Sequence, residues 1–422
     1  MVTARPLPRP SPGPCPAPTT TAILFFRRID RSFWHSIASM VELASVIRAS
    51  DGVVWGQACA EPQTLVELFV AQRDAFSGAR VFLGASYSGL VKPEHADHLR
   101  LASYCGSGAN RALADAGVLE IYPTPYSQLG GLIRDGKIGA DVVLVQVSPP
   151  NARGEYSLGL GVEYLAPALR ASRAVLAEVN DRVPWTHTEP LLRRKDFALV
   201  VESSRAPVYL PYRCGEIEMA IARHAAGYIP DRAVLECGIG NAPNAVLGAL
   251  GERRGLRFHS GLIPEGVAAL HAKGALTGEI HGGCLMGTQE LFDWARENPQ
   301  VRLHSSDYTH GAAVLAKLER FVAINSAVEV DFTGQVNSEV ARASYVGAVG
   351  GALDFIRAAN QSPGGVALIC LPSSRVVRKL SGPVATPRSE AAVIVTEKGA
   401  ADLRGCTLRE REERLRAISG NS

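Results

Sequence analysis

At 422 residues, 46% hydrophobic and 20% charged, the chain holds material for two soluble globular domains rather than one. A formal net charge of +3 supplies no field for a polyanion, which excludes nucleic acid as the main ligand. Eight cysteines without a C-x-x-C pair or a histidine at zinc spacing imply reduced thiols and no metal site. No apolar run is long enough to span a bilayer, so a cytoplasmic protein without membrane contact is expected.

The first 39 residues stand apart. Arg5 to Pro18 is Pro-rich, a composition that packs no core, and patterned sequence begins near Met40. Residues 1–39 therefore read as a disordered or non-native extension, with Met40 the favoured start. Val41 to Arg48 has helical spacing. Strand-like runs follow at Gly52 to Trp55, Ala79 to Gly84, Asp141 to Val147, Ala174 to Val179 and Phe197 to Glu202, their unbroken aliphatic character suiting strands buried on two faces. Ser203 to Pro211, with two prolines and no period, reads as a linker.

The second half repeats the plan: a helix at Ile217 to Ala226, then strands at Val234 to Cys237, Leu256 to His259, Phe321 to Ile324, Val366 to Leu371 and Ala391 to Thr396. Leu408 to Ile418 carries charge at helical spacing, as a solvated terminal helix does. Strands alternating with helices predict α/β architecture: two open, mainly parallel sheets, one in residues 40–205 and one in 212–422.

Three glycine-rich turns fall in the second half. Gly238-Ile-Gly-Asn-Ala-Pro243 lies between a strand and a helix, where glycine lets a ligand approach the main chain. Gly347-Ala-Val-Gly-Gly-Ala-Leu-Asp-Phe355 and Ser362-Pro-Gly-Gly365 follow; packing alone also explains such turns. The first lacks the third glycine and the distal acid of a dinucleotide fingerprint, which disfavours a nicotinamide cofactor. Glu178 and Asn180, at the end of an apolar strand, face a cleft or merely end the strand.

The order of these features, with Tyr122-Pro-Thr-Pro-Tyr-Ser127, Gly154-Glu-Tyr-Ser-Leu-Gly159, Ala177-Glu-Val-Asn180, Gly334-Gln-Val-Asn-Ser-Glu339 and Val395-Thr-Glu-Lys-Gly-Ala-Ala-Asp-Leu-Arg-Gly405, resembles the acetyl-CoA hydrolase/transferase family from about Gly52 to Ile418. The resemblance, which extends to 4-hydroxybutyrate and acetate CoA-transferases, implies paired CoA-transferase domains. It also implies a small acyl-CoA and a carboxylic acid as substrates, no permanently bound cofactor, and a homo-oligomer. By the same carry-over Gly238, Gly240, Asn241 and Ala242 lie along the thioester, and Gly350 and Gly351 line the channel for the CoA arm with Asn337 nearby.

The family's nucleophile is a glutamate on the loop after the second strand of this half. Aligning His259-Ser260 and Gly266 to its motif places Gly261 at that position and Glu265 on a neighbouring aspartate. Three readings follow. Glu265 substitutes as nucleophile; or water, activated by Glu265 or His259, hydrolyses the thioester directly with the Gly238 to Asn241 turn as oxyanion hole; or the chain binds CoA thioesters without reacting. For His259 the alternative is a strand-end histidine bound to backbone, and for Glu265 a helix-start carboxylate beside Pro264.

Overall fold

Uninterrupted β-branched and aliphatic segments make strands whose two faces both demand cover. In the computed structural model, which describes residues 41–390 and 392–420 and the backbone of Ile23–Leu24, every residue of Val142–Val147 is buried, as is all of Ala174–Asn180 except Val179. These two strands pair in parallel at the centre of an eight-stranded sheet. Its order is Ile23–Leu24, Leu199–Ser203, Ala174–Asn180, Val142–Val147, Gly52–Trp55, Arg80–Leu83, Arg100–Ser103 and Leu119–Ile121. All its pairings are parallel. Helices cover the faces, and aromatic rings fill the space beneath them: Phe69 lies 5.7 Å from Trp55 and 4.7 Å from Phe76 between centroids.

The second sheet has nine strands. Val234–Cys237 lies between Phe321–Asn325 and Leu256–His259; outward run Val366–Cys370, Val393–Thr396 and Gly399–Asp402 on one side, Leu276–Gly282, Val301–Leu303 and His187–Thr188 on the other. Only the Val393–Thr396/Gly399–Asp402 pair is antiparallel. The residues between Ser203 and Glu216 form no helix or strand. We propose this stretch as the domain boundary, which the first half of the chain also crosses: His187–Thr188 pairs with Val301–Leu303, and Gly161 and Glu163 bridge to Cys284 and Ser305.

The helix expected over Val41 to Arg48 is instead a single 3-10 turn, Leu43–Ser45. The Gln72 side chain accepts from Leu43 N–H and donates to the Val41 carbonyl, and Asp51 accepts from Arg48 N–H, so backbone groups a helix would pair internally are taken. The terminal helix Leu408–Ile418 forms as expected, opened by the Thr407 hydroxyl accepting from Glu410 N–H. The expectation for residues 1–39 lies outside the described residues, apart from the Ile23–Leu24 backbone. None of the seven described cysteines is paired, and five of them are buried.

Candidate active site

Ligands in open parallel sheets gather beyond the carboxyl ends of the strands. Here the ends of both sheets line one cavity of about 340 Å³. Gln57 follows Gly52–Trp55 and Tyr104 follows Arg100–Ser103 in the first half. Gly238, Gly261 and Asn325 end or follow Val234–Cys237, Leu256–His259 and Phe321–Asn325 in the second. The cavity is thus a seam between the halves, and neither half builds it alone.

One carboxyl group stands in the wall of that seam. The segment carrying Glu163 crosses from the first half: Val162 N–H donates to the Gly283 carbonyl, Leu285 N–H to that of Leu160, and Glu163 N–H to that of His304. Glu163 itself sits at φ 41°, a conformation that costs a non-glycine residue energy and is held by these bonds and by Ser306 N–H donating to its carbonyl. Its side chain is fixed from both ends. Gln57 Nε2 donates to Oε1 at 2.8 Å and to Oε2 at 2.9 Å, and the Tyr126 hydroxyl donates to Oε1 at 2.9 Å. Gln57 cannot turn over, because its Oε1 accepts from Ala85 N–H and from the Tyr104 hydroxyl. All these donors are neutral, and no ion pair reaches Glu163 among the described residues; burial therefore pushes its pKa up to about 7.

A second buried carboxyl, Glu236, also lines the cavity. Its Oε2 accepts from Ile324 N–H at 3.1 Å and Asn325 Nδ2 at 2.8 Å, and burial raises it to about 8. His310 completes the wall. Its ring lies between Tyr126 and Phe355, 4.8 and 4.5 Å away, with Nδ1 against the Thr309 hydroxyl, and burial holds it to about 3, a neutral imidazole.

Of the residues expected from the sequence, Gly238, Gly261, Gly350 and Gly351 line the cavity. Close packing requires glycine at two of them: a Cβ on Gly238 would strike the Asn325 amide oxygen, and one on Gly351 would strike His310 Nε2. Gly240, at φ 139°, caps the helix Asn241–Gly248, while the Asn241 side chain accepts from Arg213 N–H and Ala242 packs into the core; these three do not line the cavity. Gly238 N–H is spent on the Ile324 carbonyl, which leaves an oxyanion role in this turn to Ile239, which lines the cavity and whose N–H has no protein partner among the described residues. Asn337 is fully buried and holds its own loop, accepting from Glu339 and Val340 N–H and donating to the Val340 carbonyl.

The structure does not bring Glu265 or His259 to the cavity. Glu265 opens the helix Glu265–Ala272, and its Oε1 accepts from Thr288 N–H and Oγ1 at 2.9 and 2.6 Å, tying down the start of the helix Gln289–Ala295. His259 Nε2 donates to the Thr309 carbonyl at 2.9 Å, and burial lowers its pKa to about 4. Glu178 accepts from Thr64 N–H, Thr64 Oγ1 and Leu65 N–H at the start of the helix Gln63–Ala71. Asn180 donates to Gln146 and to the Arg205 carbonyl. Glu265→Ala accordingly removes a shared acceptor and is expected to cost about 1–3 kcal/mol of stability in a denaturant melt, without altering the cavity lining.

Sequence reasoning passed over Glu163, Gln57, Tyr126, Glu236 and His310. Glu163 precedes the helix Leu165–Ala171 and reads as an ordinary helix-start acid; the usable signal was an acidic residue in an otherwise apolar run, Leu158 to Leu165.

Two open α/β sheets thus bring their strand ends around one cavity with buried carboxyls in its wall, the frame of an enzyme that holds a ligand between its halves. The chain belongs to the acetyl-CoA hydrolase/transferase family: the N-terminal domain of that family matches residues 26–200 and its C-terminal domain residues 287–421. It is 34% identical over 391 residues to the 4-hydroxybutyrate coenzyme A transferase of Clostridium kluyveri, covering 88% of this chain and 91% of that one. Among solved structures, RipA from Yersinia pestis superposes with a TM-score of 0.85 at 27% identity, over 90% of this chain and 92% of that one. The 4-hydroxybutyrate CoA-transferase of Porphyromonas gingivalis gives 0.74 at 27% identity, over 92% and 96%.

Proposed function

We propose that the protein transfers CoA between a small acyl-CoA and a carboxylic acid in the cytoplasm, as a homo-oligomer, with CoA thioester as substrate and no resident cofactor. The observation that carries this reading is the cavity: about 340 Å³ at the strand ends, floored by the Gly238 turn and walled by the Gly350–Gly351 backbone, with mainly apolar sides that suit a short acyl chain. Glycine at these positions lets the thioester and its slender arm run against main chain. Ile239 would offer its N–H group to the carbonyl oxygen as it gains charge.

Gly261 favours a second reading, direct hydrolysis, because the family's glutamate position has no side chain. The two separate in one assay. Acetyl-CoA is supplied with and without a panel of short carboxylates, and new acyl-CoA and free thiol are followed together. Transfer predicts new acyl-CoA that depends on the acid, with little thiol; hydrolysis predicts thiol release at a rate independent of the acid. Binding of acetyl-CoA with neither product would leave only a thioester-binding protein.

A further inference from the structure

The position expected to hold the nucleophile is empty of side chain, but the space around it is not empty of carboxylate. A Cβ placed on Gly283 would strike the Gly261 carbonyl oxygen at 2.6 Å and stand 3.0 Å from Glu163 Cγ, so the Gly261 backbone and the Glu163 side chain close on Gly283 from two sides with no room for a methyl group between. Cys284 Sγ touches both sides, contacting the Gly261 carbonyl at 3.9 Å and the Glu163 carboxyl. Glu163 and Gly261 line the same cavity from opposite halves of the chain. The other carboxyls are worse placed. Glu265 is committed to Thr288, and Glu236 sits beneath the Gly238 turn, bound to Asn325.

We infer that Glu163 is the nucleophile of this site, supplying from a neighbouring loop the carboxylate that position 261 lacks. This rests on the CoA-transfer reading above and specifies it. An oxygen of the Glu163 carboxylate adds to the thioester carbonyl carbon; the C–S bond breaks and the CoA thiolate leaves, giving an acyl-glutamyl anhydride. The thiolate then adds to the glutamyl carbonyl, the anhydride C–O bond breaks, and the donor acid departs as its carboxylate, leaving CoA as a thioester on Glu163. An acceptor carboxylate reverses the two steps, and no net proton is needed.

The hydrogen bonds divide the two oxygens between these tasks. Oε1 holds the Tyr126 hydroxyl and a Gln57 bond, while Oε2 accepts from Gln57 alone among the amide and hydroxyl donors, with the weakly donating Cys284 thiol against the carboxyl. Oε2 is the freer oxygen for attack. Oε1 then becomes the glutamyl carbonyl oxygen, and the donors that fixed it are already in place to stabilise negative charge when the thiolate adds. Burial favours the same chemistry, since a carboxylate stripped of water and cations is more basic than one in solvent.

The test uses wild-type protein, acetyl-CoA and ¹⁸O-labelled acetate, followed by peptide mass mapping. The expected result is ¹⁸O in the Glu163 carboxyl after turnover, and a CoA adduct on the same peptide when acetyl-CoA is given alone. Glu163→Gln, checked for folding by its melt, should lose transfer by at least about 10³-fold, and Glu163→Asp should stay strongly impaired because its carboxyl is one methylene short. Label or adduct on Glu236, Glu265 or any other residue overturns the inference. So does transfer by wild type with unlabelled Glu163, or a folded Glu163→Gln within tenfold of wild type; both leave the CoA-transfer reading standing. Absence of any acyl-CoA turnover by wild type defeats both.

Discussion

Gly261→Glu, which restores the family's residue, will destabilise the protein and add no transfer activity until His310 is also cut back. The Cβ of any residue at 261 would stand 3.0 Å from His310 Cε1, 3.1 Å from Nε2 and 3.7 Å from Phe355. His310 has nowhere to retreat: its ring is flanked by Tyr126 and Phe355, and Gly351 is already pressed against its Nε2. Overpacking of this kind typically costs 1–3 kcal/mol, and a glutamate here also places a second carboxyl beside Glu163, so that the two must share a proton. His310→Ala alone opens a cavity, itself a loss of roughly 2–4 kcal/mol. In the double variant each change relieves the other. Denaturant melts of wild type, both single variants and the double variant should give a combined loss below the sum of the singles by 1 kcal/mol or more. Strict additivity would show that His310 does not block the position. In the double variant the CoA adduct is expected to appear at residue 261 as well as at 163.

Strands buried on both faces were the most legible part of the fold. Val142–Val147 and Phe321–Asn325 are buried throughout and apolar but for Gln146 in the first and the terminal Asn325 in the second, too few polar residues to break the reading. The strands that escaped are those whose burial is interrupted. Leu276–Gly282 contains Thr277, Gly278 and Glu279 exposed in succession, and Leu119–Ile121 is a three-residue edge strand. Their conformation is imposed by a neighbouring strand rather than by their own pattern. The helix expected at Val41 failed for a related reason: Gln72 and Asp51, distant or beyond its end, claim its backbone groups.

The site divided differently. Its glycines were legible, because a glycine turn beside a strand or helix leaves a local trace, even though the contacts that demand glycine at 238 and 351 come from the distant Asn325 and His310. Its carboxylate was not. What makes Glu163 unusual is the company of Gln57 and Tyr126, 106 and 37 residues away in the chain, together with loops of the second half. No spacing rule records such an encounter. Glu265 has the opposite history: the alignment brought it forward, and a tertiary contact with Thr288 takes it out of the cavity.

The two buried carboxyls also predict how stability varies with pH. Glu163 is raised from the ordinary 4.5 to about 7 and Glu236 to about 8, both chiefly by burial. In each case the folded protein keeps a proton that the unfolded chain has released. Their stabilising contribution is complete below pH 4.5 and is lost as pH rises through 7 and 8, at up to about 1.4 kcal/mol per unit for each group. His259, His304 and His310, lowered by burial to about 4, 4 and 3, act in the opposite sense, costing stability as pH falls below 6.5. Melting temperature should therefore peak near pH 6 and decline on the alkaline side. Glu163 is about half ionised at pH 7 and nearly wholly so by pH 8, so the fall between pH 7 and 8 belongs mainly to Glu236. Glu236→Gln keeps both native hydrogen bonds, since Ile324 N–H and Asn325 Nδ2 address the one oxygen Oε2 and an amide oxygen can replace it. That variant should match wild type below about pH 4.5 and be increasingly the more stable protein as pH rises to 8, with the slope between 7 and 8 largely gone. An unchanged slope would place the alkaline loss elsewhere and mean that Glu236 is already ionised in the folded protein. Glu163→Gln should remove the share of the loss that accumulates between about pH 4.5 and 7.5, and should remove from any remaining activity the rise through pH 7 that an ionising nucleophile imposes.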